Sequence, residues 1–223
     1  MSKVDIIVTV YNGENFIVQC FNSILNQNSD DLNIILVNDG SLDDSLSLIN
    51  NFDFGILNTQ ILNQQNEGVA SALNRALELV RSDFVAFIDP DDIWEVGKIQ
   101  KQVEYLKSHE EIDATFTLIQ EFTDTSAIRA KARTKPMPGL CKTTFLGRKT
   151  AVEQVGKFDV SLPTGDFIDW MLRFNMAGFN YHIIPEVLAY RRVHNENLSL
   201  KNDKEDYLKL IHHHLKRRRL DKK

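Results

Sequence analysis

Apolar runs that recur with helix-patterned segments between them most constrain what this 223-residue chain can fold into. VDIIVTV (4–10), LNIILVND (32–39), ILNTQILN (56–63) and DFVAFID (83–89) read as strands. Between them, NGENFIVQCFNSILNQ (12–27) repeats apolar residues at helical spacing through Ile17, Cys20, Phe21 and Ile24. SLDDSLSLINNF (41–52) reads as a second helix with Ser41 as its N-cap, and EGVASALNRALELV (67–80) as a third. Near-continuous apolar strands separated by helices predict an α/β fold, a mainly parallel sheet covered on both faces. A fourth helix (94–110) and a strand near 113–122 follow, then TDTSAIRAKARTKPMPGL (123–140), which has little core pattern and reads as a mobile loop.

Composition narrows the class. The 43% hydrophobic content supports one sizeable core, and no run reaches the roughly 18 apolar residues of a membrane span. Cys20 and Cys141 make neither a disulfide framework nor a thiolate metal site, so a cytoplasmic chain is expected. The net charge is −5, yet residues 201–223 hold nine Lys/Arg against four Asp/Glu, leaving the other 200 at about −10. An acidic body argues against nucleic acid as the ligand. The basic end reads as a solvated helix or tail, or as a peripheral contact with the inner face of an anionic membrane.

In parallel sheets ligands gather at the carboxyl ends of the strands. Three such ends carry polar residues: Thr9 to Asn12, Asn38 to Ser41, and Asp89-Pro90-Asp91-Asp92. Pro90 stiffens the turn between Asp89 and Asp91, so both carboxylates can aim at one point. Crowded like charges are tolerable where a divalent cation neutralises them, and magnesium or manganese takes oxygen ligands shared with substrate phosphates. An acidic helix cap, with Asp91 or Asp92 opening the helix that holds Trp94, would account for an isolated DxD equally well. Asp39, on the same rim beside Gly40, is poorly explained as a cap, and together the carboxylates suit a nucleotide diphosphate.

The ordered series VTVYNGE, SILNQ, IILVNDGSLDDS, NEGVASALN, SDFVAFIDPDD, GKFDVSLPTGDFIDWMLRF and VLAYRRVHNENLS resembles the family 2 glycosyltransferases of the GT-A fold over residues 3–200. The resemblance implies one GT-A domain over 1–200, a nucleotide-sugar-binding half (1–95) and an acceptor half (96–200), with 201–223 as a basic tail. It implies inverting, metal-dependent transfer from a nucleotide-diphospho-sugar, most often UDP-linked, to a glycan or lipid-linked acceptor in glycoconjugate or surface-polysaccharide synthesis. Thr9, Tyr11 and Asn12 would line the base pocket, Glu14 would sit beside it, and Asp39 would hydrogen-bond the base. Asp89, Pro90 and Asp91 would meet the ribose and the metal–diphosphate, with His194 as a further ligand for Mn2+ or Mg2+.

Inversion needs a general base for the acceptor hydroxyl. The family's acidic pair falls here in TGDFIDWMLR, with Gly165 and a one-residue shift, so Asp169 and Asp166 both match. They are three apart and can share a helix face, and Asp169, directly before Trp170, is narrowly preferred. A second departure puts Leu73 where relatives often carry arginine. A nucleotidyltransferase would want a glycine-rich phosphate loop after the first strand, which VYNGEN lacks. A lapsed nucleotide-sugar-binding protein would have lost carboxylates that this chain keeps.

Overall fold

The computed structural model describes residues 3–124, 132–162, 164–195 and 197. Its first half runs β1 (Val4–Val10), α1 (Ile17–Leu25), β2 (Leu32–Asp39), α2 (Ser45–Asn51), β3 (Asn58–Gln64), α3 (Val69–Leu77) and β4 (Phe84–Ile88). β5 (Ile93–Trp94), α4 (Lys98–Ser108), β6 (Ala114–Phe122), β7 (Met137–Pro138), β8 (Leu146–Arg148), α5 (Lys149–Val155), α6 (Asp166–Met176) and β9 (Tyr181–Arg192) follow. Among the described residues one nine-stranded sheet takes all the strands in the order β3-β2-β1-β4-β8-β6-β9-β5, with β7 paired to β6.

The apolar runs are continuous because successive side chains enter opposite layers. Ile6 and Val8, Ile34 and Leu36, and Ala86 and Ile88 pack with α1, α4 and Trp94 on one face. Ile7, Ile35, Val37, Val85 and Phe87 pack on the other with α3, α5 and α6, where Trp170 stacks on Phe158 and Phe167. Each such aliphatic side chain contributes about 1.5–3 kcal/mol on burial, so a one-residue register slip would misplace both layers at once. β3 differs: it lies at the sheet edge with alternating exposed positions, which its polar sequence NTQILNQ permits.

Strand direction builds the functional rim. β3, β2, β1 and β4 are parallel, with Val10 opposite Asn38 and Val8 opposite Ile88, so the three polar strand exits line one edge. β8 runs antiparallel to β4 and to β6, and β9 runs parallel to β6, so β9 also exits on that edge. β5 folds back antiparallel on β9, with Ile93 opposite Tyr190, which brings the DPDD turn beside Arg192 and His194.

The elements start later than the sequence pattern suggests. Trp94 lies in β5, and α4 begins only after Gly97, whose φ is 81°. Residues 123–140 include β7, and 125–131 fall outside the described residues, as does the basic segment 201–223 with its proposed membrane contact. Among the described residues no helix is long and apolar enough to cross a membrane.

At the opposite rim Asp5 is buried and accepts hydrogen bonds from Arg81 N (2.6 Å), Ser82 N (2.8 Å), Ser82 Oγ (2.6 Å) and Asn33 Nδ2 (2.9 Å). Burial alone would raise its carboxyl pKa, but these donors outweigh it and hold the value below the ordinary range. A depressed folded pKa gives stability that is complete above the unfolded-state value and is lost as pH falls through the folded one. Asp5→Asn is therefore expected to cost about 1.5–3 kcal/mol at neutral pH. Urea melts at a series of pH values should show the variant and wild type converging in acid. A gap that stayed constant with pH would contradict this.

Candidate active site

The β1 and β2 exits interlock through side chains. Asn12, held at a φ of 50°, donates its N–H to Ser41 Oγ (3.0 Å) and accepts from Leu42 N through Oδ1 (2.8 Å). Glu14 N donates to Asp43 Oδ2 (3.0 Å), and Glu14 Oε2 accepts from Asp44 N (2.8 Å). These contacts explain why α1 begins only at Ile17. They also correct Ser41 as an N-cap: it serves the β1 loop, and Asp44 stands at the cap position of α2. Thr9 is buried, while Tyr11 at 45% exposure presents its ring to solvent.

Asp39 is buried and fully engaged at the β3–α3 loop. Oδ1 accepts from Gln64 Nε2 (2.7 Å) and Glu67 N (2.9 Å), and Oδ2 from Gly68 N (3.0 Å). Gly40 follows at a φ of +69°, and a Cβ there would meet Asn66 N at 2.7 Å, so only glycine lets this loop close. Leu73 packs into the second core, and Arg75 donates to Asn63 O (3.2 Å).

The DPDD turn separates its three carboxylates. Asp89 Oδ1 lies 3.2 Å from Lys142 Nζ. Asp91 Oδ2 meets His194 Nε2 at 2.9 Å and accepts from Asn197 Nδ2 at 3.0 Å. Asp92 is buried and structural: Oδ2 accepts from Thr143 Oγ1 (2.5 Å) and Oδ1 from Arg192 N (3.1 Å). Burial, with Asp91 and Asp89 beside it, pushes the Asp92 carboxyl well above the ordinary range. Burial also raises Asp89, with Lys142 opposing and Asp91 adding to the rise. Pro90 is half-buried between the two aspartates.

Arg192 organises this corner, although no motif in the sequence marks it for that role. It is 2% exposed, donates from Nε to Asp91 O (3.0 Å), pairs with Asp124 and Gln19, and lies over the Phe16 and Phe122 rings. Phe16 also packs on the His194 ring, 4.5 Å between centroids.

α6 begins after Gly165, whose φ is 77°, and its first turn sends two carboxylates different ways. Asp166 Oδ2 approaches Lys142 Nζ at 3.5 Å, which puts it on the rim with Asp89. Asp169 Oδ2 pairs with Arg173 Nε at 2.9 Å, and Arg173 donates on to Val155 O and Lys157 O. Three residues leave side chains about 60° apart around a helix, enough for one to face the rim and the other the α5 connection. Burial would lower the Lys142 pKa, but Asp89 and Asp166 reverse that and push it up, so the ammonium stays charged. No periodicity or motif in the sequence marks Lys142.

Asp91 and His194, a carboxylate and an imidazole in direct contact at the rim, are residues that could hold a divalent cation. Among the described residues no three His, Cys, Asp or Glu side chains cluster as a ready-made cage.

The model of glycosyl transferase family 2 matches residues 5–167. Escherichia coli WfaP, described as a UDP-Glc:alpha-D-GlcNAc-diphosphoundecaprenol beta-1,3-glucosyltransferase, is 30% identical over 216 residues, 92% of this chain and 83% of the relative. Escherichia coli chondroitin synthase is 26% identical over 96% of this chain, which spans only 33% of that protein. Among solved structures, S. aureus TarS 1-349 in complex with UDP-GlcNAc superposes with a TM-score of 0.75 at 17% identity, covering 93% of this chain and 64% of that one. The mannosyltransferase PcManGT from Pyrobaculum calidifontis, in complex with GDP-Man and Mn2+, gives 0.71 at 18% identity over 90% of this chain and 59% of that one. With a rim of strand exits carrying Asp39, Asp89 and Asp91, the chain belongs to glycosyl transferase family 2 and has the GT-A fold of these glycosyltransferases.

Proposed function

We propose that this glycosyltransferase moves a sugar from a UDP-linked donor to a lipid-linked or glycan acceptor, with inversion and with a divalent cation, in the synthesis of surface polysaccharide or another glycoconjugate. The observation that carries the reading is the placing of Asp89, Asp91 and Asp166 on one rim, with Lys142 between Asp89 and Asp166 and His194 on Asp91. The similarity to WfaP over most of both chains supports a lipid-linked acceptor, and the UDP-GlcNAc complex of a like fold supports the donor class.

In this reading Thr9, Tyr11, Asn12 and Glu14 frame the base pocket with Asp39, whose carboxylate the β3–α3 loop holds in place. Asp89, Pro90 and Asp91 take the ribose and diphosphate. A cation held by Asp91 and His194 would supply positive charge to the diphosphate as it departs. Asp166 is the base: it removes the acceptor hydroxyl's proton while the acceptor oxygen bonds to the anomeric carbon from the face opposite the leaving group. The bond from that carbon to the phosphate oxygen breaks, and its electron pair leaves with the nucleoside diphosphate. One displacement inverts the centre. Asp169 serves α6 through Arg173 instead.

Thermal unfolding with a panel of nucleotides and nucleotide sugars, with and without Mn2+, tests the donor class. UDP and UDP-sugars should raise Tm more when Mn2+ is present, since ligand bound only to the folded state stabilises it. No shift with any nucleotide in either condition would remove the donor-site reading.

A further inference from the structure

We propose that Lys142 is a positioning residue for transfer, a fixed cation that ties the base Asp166 to the donor-site carboxylate Asp89; this rests on the function proposed above. Its side chain is 13% exposed and its Nζ stands 3.2 Å from Asp89 Oδ1 and 3.5 Å from Asp166 Oδ2. The two carboxylates come from different elements, the exit of β4 and the first turn of α6, and among the described contacts Lys142 is the side chain that joins them.

The backbone beneath Lys142 is anchored on several sides. It opens a 3-10 turn, Lys142–Thr144. Thr143 Oγ1 donates to Asp92 and lies 3.4 Å from Asp89 N, and Thr143 O accepts from Trp94 Nε1 (2.7 Å). Thr144 O accepts from Gln102 Nε2 (2.9 Å), while Thr144 Oγ1 donates to Gly139 O. A Cβ at Gly139 would meet Thr144 Cγ2 at 2.7 Å, so the loop closes on itself with no room to spare. The ammonium is therefore aimed by the same turn that holds the DPDD segment.

Fold stability gives little reason for such a group. A buried ion pair roughly breaks even against an apolar replacement, because desolvation offsets attraction. In a cleft a buried charge with specific partners points instead to a working site. Lys142 sets one ammonium between Asp89 and Asp166 and so holds these two carboxylates together, while Asp91 stays with His194 and Asn197. When the acceptor proton has moved to Asp166, Lys142 still pairs with Asp89, and the base keeps its place through the step.

Lys142→Met and Lys142→Arg in the full chain test this, with steady-state transfer and UDP binding by calorimetry. Misplacing a catalytic group by about 1 Å costs about 100-fold, so Lys142→Met should lower kcat on that scale while UDP affinity holds. Arginine, which keeps the charge, should restore most of the loss. If methionine prevents folding, Lys142→Gln reads the same split between kcat and affinity. Transfer by Lys142→Met at the wild-type rate would overturn the inference and leave the function intact. Equal loss of affinity and kcat with no rescue by arginine would also overturn it, making Lys142 a donor contact or a structural prop. Wild type that binds no nucleotide would overturn the functional reading first, and this inference with it.

Discussion

Asp166→Asn is expected to lower kcat by about 10²- to 10⁴-fold, the usual worth of a positioned general base, while UDP binding stays as in wild type. The substitution removes the group proposed to take the acceptor proton but keeps the side chain's size. The ammonium of Lys142 retains Asp89 as a partner, so the donor rim should survive. Asp169→Asn gives the contrast. Its carboxylate faces Arg173, which reaches Val155 O and Lys157 O, so the loss falls on packing between α6 and the end of α5. A hydrogen bond to a charged group is worth about 1.5–3 kcal/mol, so Tm should drop while kcat of the folded protein changes little. The opposite pattern, with Asp169→Asn inactive and Asp166→Asn active, would move the base to Asp169.

Asp91→Asn should have an effect of similar size through a different cause. Asp91 is the point where His194 and Asn197 converge, and its backbone carbonyl receives Arg192 Nε. The amide cannot replace the carboxylate as a hard anionic ligand, and charge stabilisation by a bound cation is worth several kcal/mol. A loss of about 4 kcal/mol is roughly 10³-fold in kcat/KM, accompanied by loss of the Mn2+-dependent part of nucleotide binding. Arg192 and Asp92 still bond each other's chain segments, so the corner should stay folded.

The parallel half of the sheet was legible because both its faces are covered. Ile6 through Val8, Ile34 through Val37 and Val85 through Ile88 had to be apolar throughout, and that leaves a pattern. β3 was located from weaker evidence, since an edge strand buries little. Helix starts were misjudged where long-range side-chain bonds decide them: Asn12, Glu14, Ser41 and Asp43 bond across loops some 29 or 30 residues apart. The strands β5, β7 and β8 are two or three residues long and carry no period of their own.

The site divided in the same way. Asp39, Asp89 and Asp91 stand at strand ends, where position follows from the strand. The proposed choice of Asp166 over Asp169 rests on which neighbour each carboxylate meets: Arg173 is one helical turn from Asp169, whereas Lys142 is 24 residues from Asp166 and unmarked in the sequence. Arg192 ends β9 and Lys142 opens a short 3-10 turn, and no sequence period sets what either side chain meets, although both are buried among carboxylates.

The claim that this rim holds a nucleotide–metal complex is tested most directly by water proton relaxation in Mn2+ titrations, with and without UDP. Wild type should bind Mn2+ weakly alone and much more tightly with UDP present, and Asp91→Asn should lose that gain. Mn2+ binding that ignores UDP, or a UDP-dependent gain that survives in Asp91→Asn, would contradict the account.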